Sequence, residues 1–316
     1  MSKSRKPGRP SPRATPTKVP LPVLMERFGQ AWAAGDFVAA SAATELALRQ
    51  VPLHPQILAD HALSLMRAGQ YERAYRAYSS LLALPPARQQ LAPADWLDGL
   101  AELCGWMGKA DELRRYGLLA LGRADGRFAA PTSPLPGPPP PFDASQPQRN
   151  VISYSLFGGH PRYCEAMLMN ARLTPELFPG WTCRVYLDDS VPVEVRDDLR
   201  AAGAQIVEMD AGRQQSLPAV TWRFLVMDDP GVDRFLVRDA DALLSEREQA
   251  AVAQWLVSTK WFHHMRDYFT HTELLLAGLW GGCNGWIRNT EASIAAYARE
   301  HQGRVRYVDE HYLRQV

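Results

Sequence analysis

Two aspartates, Asp239 and Asp241, stand one residue apart directly behind the apolar run Phe235-Leu236-Val237. A strand that delivers paired carboxylates at its end suits a hard cation, Mg²⁺ or Mn²⁺, which in turn holds a diphosphate. A bare D-x-D is common in solvated loops. Here a strand precedes it, and Ser245-Glu246-Arg247-Glu248 follows with the pattern of a capping box that starts a helix. A second set of potential ligands comprises His263, His264, Asp267 and His271. Along a strand His263 and His264 point to opposite faces, so no more than one enters a given site. The set therefore reads as structural rather than as a zinc centre.

The elements that must position the acidic pair are legible as alternating texture after Asn150. Val151–Phe157 is an apolar strand, followed by Gly158-Gly159-His160-Pro161 as a turn and by a helix to about Arg172. Cys183–Leu187 and Ala204–Met209 read as further strands, with a helix at Val193–Ala202 between them. Trp222–Met227 reads as helical and Arg234–Val237 as the buried strand that carries the motif. Strands alternating with helices imply a mainly parallel sheet with ligands at the strand C-termini. Asn284-Gly285 reads as a turn.

Upstream the chain has a different period. Gly35-Asp36-Phe37 is followed 34 residues later by Gly69-Gln70-Tyr71, and Ala40/Ala74, Ala47/Leu81 and Pro52/Pro86 keep the same offset. A third unit at Gly108, with Leu113 and Ala120, is delayed by five extra residues within 87–95. The pattern resembles the tetratricopeptide (TPR) repeat, in which two helices meet at a glycine turn and small residues let them approach. It is expected over 21–126, either as a partner-binding surface or as an array used for packing or dimerisation. Residues 127–150 form a Pro-rich linker: eight prolines fall in 131–147, which reads as extended spacer. Residues 1–20 carry six basic side chains and no acid, and are expected to be a disordered tail.

Net charges of +6, 0 and −5 over 1–20, 21–150 and 151–316 hide behind a total of +1. An acidic second domain is a poor general binder of nucleic acid, which leaves at most weak contacts through the tail, where Arg5–Pro10 loosely resembles an AT-hook. Four scattered cysteines make no disulfide framework, and no apolar run is long enough to span a membrane. A cytoplasmic protein is expected.

The stretches Phe235–Glu248, Trp261–Asp267 and Ala277–Gly282, with Ser153–Gly158, Pro179–Trp181 and Val185–Asp189, resemble a bacterial group of GT-A-type glycosyltransferases often fused to TPR repeats. The implied fold class is α + α/β, with TPR-like helices followed by a Rossmann-like GT-A domain over 151–316. The resemblance implies a nucleotide-sugar donor, Mn²⁺ or Mg²⁺ as cofactor, and transfer of the sugar to an acceptor. Asp241 would be the direct metal ligand, and Asp239 would contact the metal or the ribose. Phe157 and Gly158 would receive the nucleoside, Asp188 the base, and Arg223 the donor phosphates. Asp267, or Asp309 with Glu310, would lie near the sugar or acceptor and act as general base in an inverting reaction. The histidine set reads as structural or donor-side rather than as zinc. Trp280-Gly281-Gly282 would be a platform for a sugar ring or simple packing beside a tight loop. The group continues past the segment matched by Asp309–Leu313, so a C-terminally truncated domain is expected. The other reading is an adaptor whose repeats bind a protein partner beside an inert transferase-like domain.

Overall fold

The computed structural model of the 316-residue chain describes residues 19–128, 134–266, 269, 272–301 and 308–315. Most of the expected basic tail, Asp267 and His271 lie outside the described residues. The chain divides into two compact units, Met1–Ala120 and Leu121–Val316.

The first unit is helical: α1 (Leu21–Ala33), α2 (Phe37–Gln50), α3 (Pro55–Arg67), α4 (Tyr71–Leu82), the single turn α5 (Pro86–Gln89), α6 (Trp96–Trp106) and α7 (Ala110–Phe128), whose last turns pass into the second unit. The repeated glycine has one cause three times over. Gly35, Gly69 and Gly108 sit at φ of 72°, 71° and 68°, the left-handed region that glycine enters without a Cβ penalty. Behind each, the next amide reaches back to close the helix: Asp36 to Ala31 at 2.9 Å, Gln70 to Leu65 at 2.8 Å and Lys109 to Cys104 at 2.9 Å. This is the six-to-one bond of a Schellman end. Ala40 and Ala74 are fully buried where the paired helices touch. The five extra residues ahead of the third pair are taken up by α5 and the turn after it.

The second unit is a six-stranded mixed sheet with helices. Its elements are β1 (Asn150–Leu156), α8 (Pro161–Leu177), β2 (Thr182–Leu187), α9 (Val193–Ala201), β3 (Gln205–Glu208), α10 (Ala211–Ser216), β4 (Arg234–Arg238), α11 (Glu246–Leu256), β5 (Phe262–His264), β6 (Leu279–Cys283), α12 (Thr290–Glu300) and α13 (Val308–Gln315). The strand order is β3-β2-β1-β4-β6-β5. The first four strands are parallel neighbours, and β6 runs antiparallel to both β4 and β5. The chain winds outward through β2 and β3, then returns to place β4 on the other side of β1. The strand order therefore reverses between β1 and β4, the place where open α/β sheets part their loops into a crevice.

Trp222–Met227 is helical as expected, within the 3₁₀ segment Ala219–Asp228. It is tied along β1, with the Arg223 amide donating to Ser155 Oγ at 2.9 Å and Ser153 Oγ donating to the Arg223 carbonyl at 2.7 Å. Of the two readings of Trp280-Gly281-Gly282, packing is what the structure shows, although in a strand and not a loop: the segment is the middle of β6, with Trp280 buried against Phe224 and Phe235. A Cβ at Gly281 would run into the Phe235 carbonyl, and one at Gly282 into the Phe262 ring. Glycine is what lets β6 pair closely here.

The stretch expected to be a spacer also makes contacts from Gly137 onward. Trp261 Nε1 donates to the Gly137 carbonyl at 2.6 Å, and Arg234 donates to the Pro140 carbonyl at 2.6 Å. Phe142 stacks on Trp181, and Asn150 Nδ2 bonds the carbonyls of Asp143 and Gly180. Residues 137–150 are thus a strap on the second unit. All four cysteines are free and buried, Cys104 in the repeat core and Cys164, Cys183 and Cys283 in the sheet core. Among the described residues no helix is long and apolar enough to cross a membrane.

Candidate active site at the strand switch

A cavity of about 620 Å³ opens where β1 and β4 end. Ser155, Leu156 and Phe157 line it from β1, and Asp239, Ala240 and Asp241 from β4. The turn into α8 adds His160, Arg162 and Tyr163, the residues leading into β6 add Leu276–Leu279, and α13 adds Asp309 and Glu310. Antiparallel β6 begins beside the end of β4, with Leu279 opposite Arg238, which brings the 276–279 stretch to the same rim.

The acidic loop is held from below. Buried Asn170 on α8 donates from Nδ2 to the Ala242 carbonyl and accepts the Leu244 amide through Oδ1, both at 2.9 Å. Arg238 is buried and donates from Nε to Glu248 at 2.9 Å and from a terminal guanidinium nitrogen to the Trp280 carbonyl at 3.0 Å. The capping box is therefore half formed. Ser245 Oγ accepts the Glu248 amide, while the Glu248 carboxylate turns to Arg238. Asp239 lies over Gly278, where any Cβ would overlap its carboxylate.

Each member of the D-x-D pair faces an arginine, and the two pairs differ in kind. Arg223 is buried, and its guanidinium bridges Asp239 and Asp309, the latter at 2.8 Å, while also donating to the Arg238 carbonyl at 3.0 Å. It is engaged in tying β4 to α13 rather than presented to a ligand. Arg162 meets Asp241 at 2.8 Å with its side chain 69% exposed. A pair with an exposed arginine contributes about 0–1 kcal/mol, so Arg162 can leave Asp241 at little cost. Arg223 is 5% exposed against 49% for Asp239, and it is this arginine, held also by Asp309 and the Arg238 carbonyl, that cannot leave.

Glu310 has the most informative electrostatics in the cavity. Burial, reinforced by the negative charges of Glu273, Asp309 and Asp239, pushes its carboxyl up to about 7. A carboxylate titrating there is matched to proton transfer near neutral pH. Phe157 offers a half-exposed aromatic face, braced edge-on by Trp222 at 6.1 Å between centroids. Gly158 has φ 70° and donates its amide to Ser190 Oγ at 2.7 Å. Asp188 accepts the Ser190 amide and hydroxyl, so it braces this loop and is not among the cavity-lining residues.

The sequence candidates Phe157, Arg223, Asp239, Asp241, Asp309 and Glu310 therefore meet in one cavity, and Asp188 and Gly158 support its rim. Asp267 lies outside the described residues. His263 and His264 line a separate, smaller cavity with Trp280 and Tyr312. His263 stacks on Trp255, and burial pushes it down to about 4. Arg162 and Asn170 were missed by sequence reasoning, because nothing local marks a residue whose partner lies some 70–80 positions away.

Among the described residues no group of three or more His, Cys, Asp or Glu side chains is gathered as a metal cage. Two carboxylates on one cavity wall suit a different kind of site, in which Mg²⁺ or Mn²⁺ takes one or two protein carboxylates and completes its shell with substrate phosphates and water.

No family model matches the chain, and no curated protein matches it. Among solved structures it is similar to a mutant of the O-GlcNAc transferase of Thermobaculum terrenum, at 18% identity over 60% of this chain and with a TM-score of 0.29. The match spans 41% of that protein's length. A likeness of that degree transfers no structural or functional detail to this chain.

Proposed function

We propose that the second unit is a metal-dependent glycosyltransferase that takes a nucleoside-diphosphate sugar as donor. The observation that carries this reading is the D-x-D pair at the strand switch, opening into a cavity that also holds an aromatic face and a near-neutral carboxyl. The sequence resemblance of Phe235–Glu248 and its neighbours points the same way. The helical repeats would recruit a protein partner or the acceptor.

In this reading Asp241, with Asp239 beside it, holds Mn²⁺ or Mg²⁺, whose chemistry is to neutralise the leaving diphosphate. Phe157 stacks the nucleoside base. Arg223 keeps Asp239 and α13 in register, so that the carboxylates do not drift apart when the ligand enters. Glu310, deprotonated above about pH 7, accepts the proton of the acceptor hydroxyl.

The test is a thermal-shift screen of uridine, guanosine, adenosine, cytidine and thymidine diphosphates, each with and without Mn²⁺. A ligand present at 100 times its Kd stabilises by about 2.7 kcal/mol. One diphosphate should raise the melting temperature only with Mn²⁺, and Asp241→Ala should abolish the shift. No shift across the panel would overturn the reading.

A further inference from the structure

We propose that Arg162 is the diphosphate-binding cation of this cavity, and that its ion pair with Asp241 is a placeholder which a metal–diphosphate unit exchanges for itself. The inference rests on the reading above and adds a residue to it.

Among the described residues two guanidiniums reach the cavity wall, and one of them is committed. Arg223 is enclosed between Asp239, Asp309 and the Arg238 carbonyl. Arg162 is mostly in solvent and meets Asp241, itself 21% exposed, across an ion pair that is open on the arginine side, the kind that is readily traded for a better partner. Its planar fork of donors matches a phosphate as well as it matches a carboxylate.

The backbone beside it leaves that task to the side chain. A helix start often binds anions through free amides, but those of α8 are taken. The Arg162 amide donates to His160 Nδ1 at 3.2 Å, and the Tyr163 and Cys164 amides donate to the His160 carbonyl at 3.1 and 3.2 Å. Pro161 has no N–H to give.

Charge balance favours an exchange of pairs over entry of a bare anion. Among the described residues the lining holds four carboxylates against two guanidiniums, so a free diphosphate meets repulsion. A metal–diphosphate unit brings a cation for Asp241 and an anion for Arg162, and every charge keeps a partner. Cation and diphosphate should then bind cooperatively. Arg162 competes with metal for Asp241 until a phosphate draws it away, and such coupling is reciprocal.

The deciding measurement is calorimetric titration of the full chain with Mn²⁺ alone, and with inorganic pyrophosphate at saturating Mn²⁺, for wild type and Arg162→Ala. Removing the competing guanidinium should tighten Mn²⁺ binding by about 3- to 5-fold, the worth of an exposed ion pair. The same substitution should weaken pyrophosphate binding by at least about 10-fold. Arg162→Lys, which keeps the charge and loses the fork, should fall between. A purely structural role would move both affinities in one direction, and that result would overturn the inference, as would pyrophosphate affinity unchanged within about twofold. Wild type binding neither pyrophosphate nor any nucleoside diphosphate with Mn²⁺ would sink the functional reading and this inference together. Wild type that binds, without the opposed shifts, sinks this inference alone. Arg162→Gln serves as a second variant should Arg162→Ala melt early.

Discussion

Among single residues, Glu310 gives the clearest handle on the chemistry. Its carboxyl ionises near 4.5 when free in water and near 7 in the folded chain. Between those values the native state holds a proton that the unfolded state has lost. Stability therefore falls as pH rises through that window, and the full penalty is present above about 7. Partial exposure screens it to about 1 kcal/mol. Glu310→Gln should match wild type in stability near pH 4 and exceed it near pH 8, read by denaturant titration at the two pH values. Transfer by wild type should decline below pH 7, and the variant should lose about 10²–10⁴-fold in kcat together with that inflection. A variant with an unchanged pH–rate profile would remove Glu310 from the reaction. The carboxylates of this site were readable in the sequence because D-x-D and Asp309-Glu310 follow recognisable local patterns. Their arginines were not. Arg223 reads equally well as a ligand for phosphate until Asp239 and Asp309 are seen on either side of it.

At the level of elements, β6 shows where local pattern fails. The strands β1 to β4 announce themselves as short apolar runs between turn residues, and each lies within a residue or two of its expected span. Leu279–Cys283 carries two glycines and no alternation, so it reads as a loop beside an aromatic platform. What makes it a strand is absent from its own sequence: the space left by Phe235 and Phe262 on its neighbours. A pair of substitutions separates the two uses of glycine here. In Gly281→Ala the new methyl meets the backbone carbonyl of Phe235, which cannot move aside, so a loss of about 2 kcal/mol or more is expected. In Gly278→Ala it meets the half-exposed Asp239 carboxylate, which can turn aside while Arg223 keeps its bond to Asp309. That variant should melt closer to wild type yet lose at least about 10-fold in Mn²⁺-dependent nucleotide affinity. Equal stability losses and equal binding losses in the two variants would contradict this division.

For the whole chain, the proline-rich stretch turns out to matter as structure. Its composition predicts a spacer, and no local pattern shows that Gly137, Pro140 and Asp143 give carbonyls to side chains of the second unit. Phe142→Ala removes the ring that stacks on Trp181. For this partly buried site a loss of about 2 kcal/mol is expected in urea unfolding, and a free spacer would lose nothing. The helix pairs of the first unit, by contrast, were legible, because each is specified by residues close in sequence. The buried cysteines add a way to watch these parts separately. Burial pushes the Cys104 thiol up to about 11 and the Cys183 thiol up to about 12, so neither reacts until its surroundings open. Each thiol is then a clock for one layer, Cys104 for the repeats, Cys183 for the centre of the sheet, and Cys164 for the helix that carries Arg162. Mass-resolved alkylation should find the native chain nearly inert, and a ligand filling the cavity should slow Cys164 while leaving Cys104 at its own rate. Equal slowing at both would mean that the cavity and the repeats open as one.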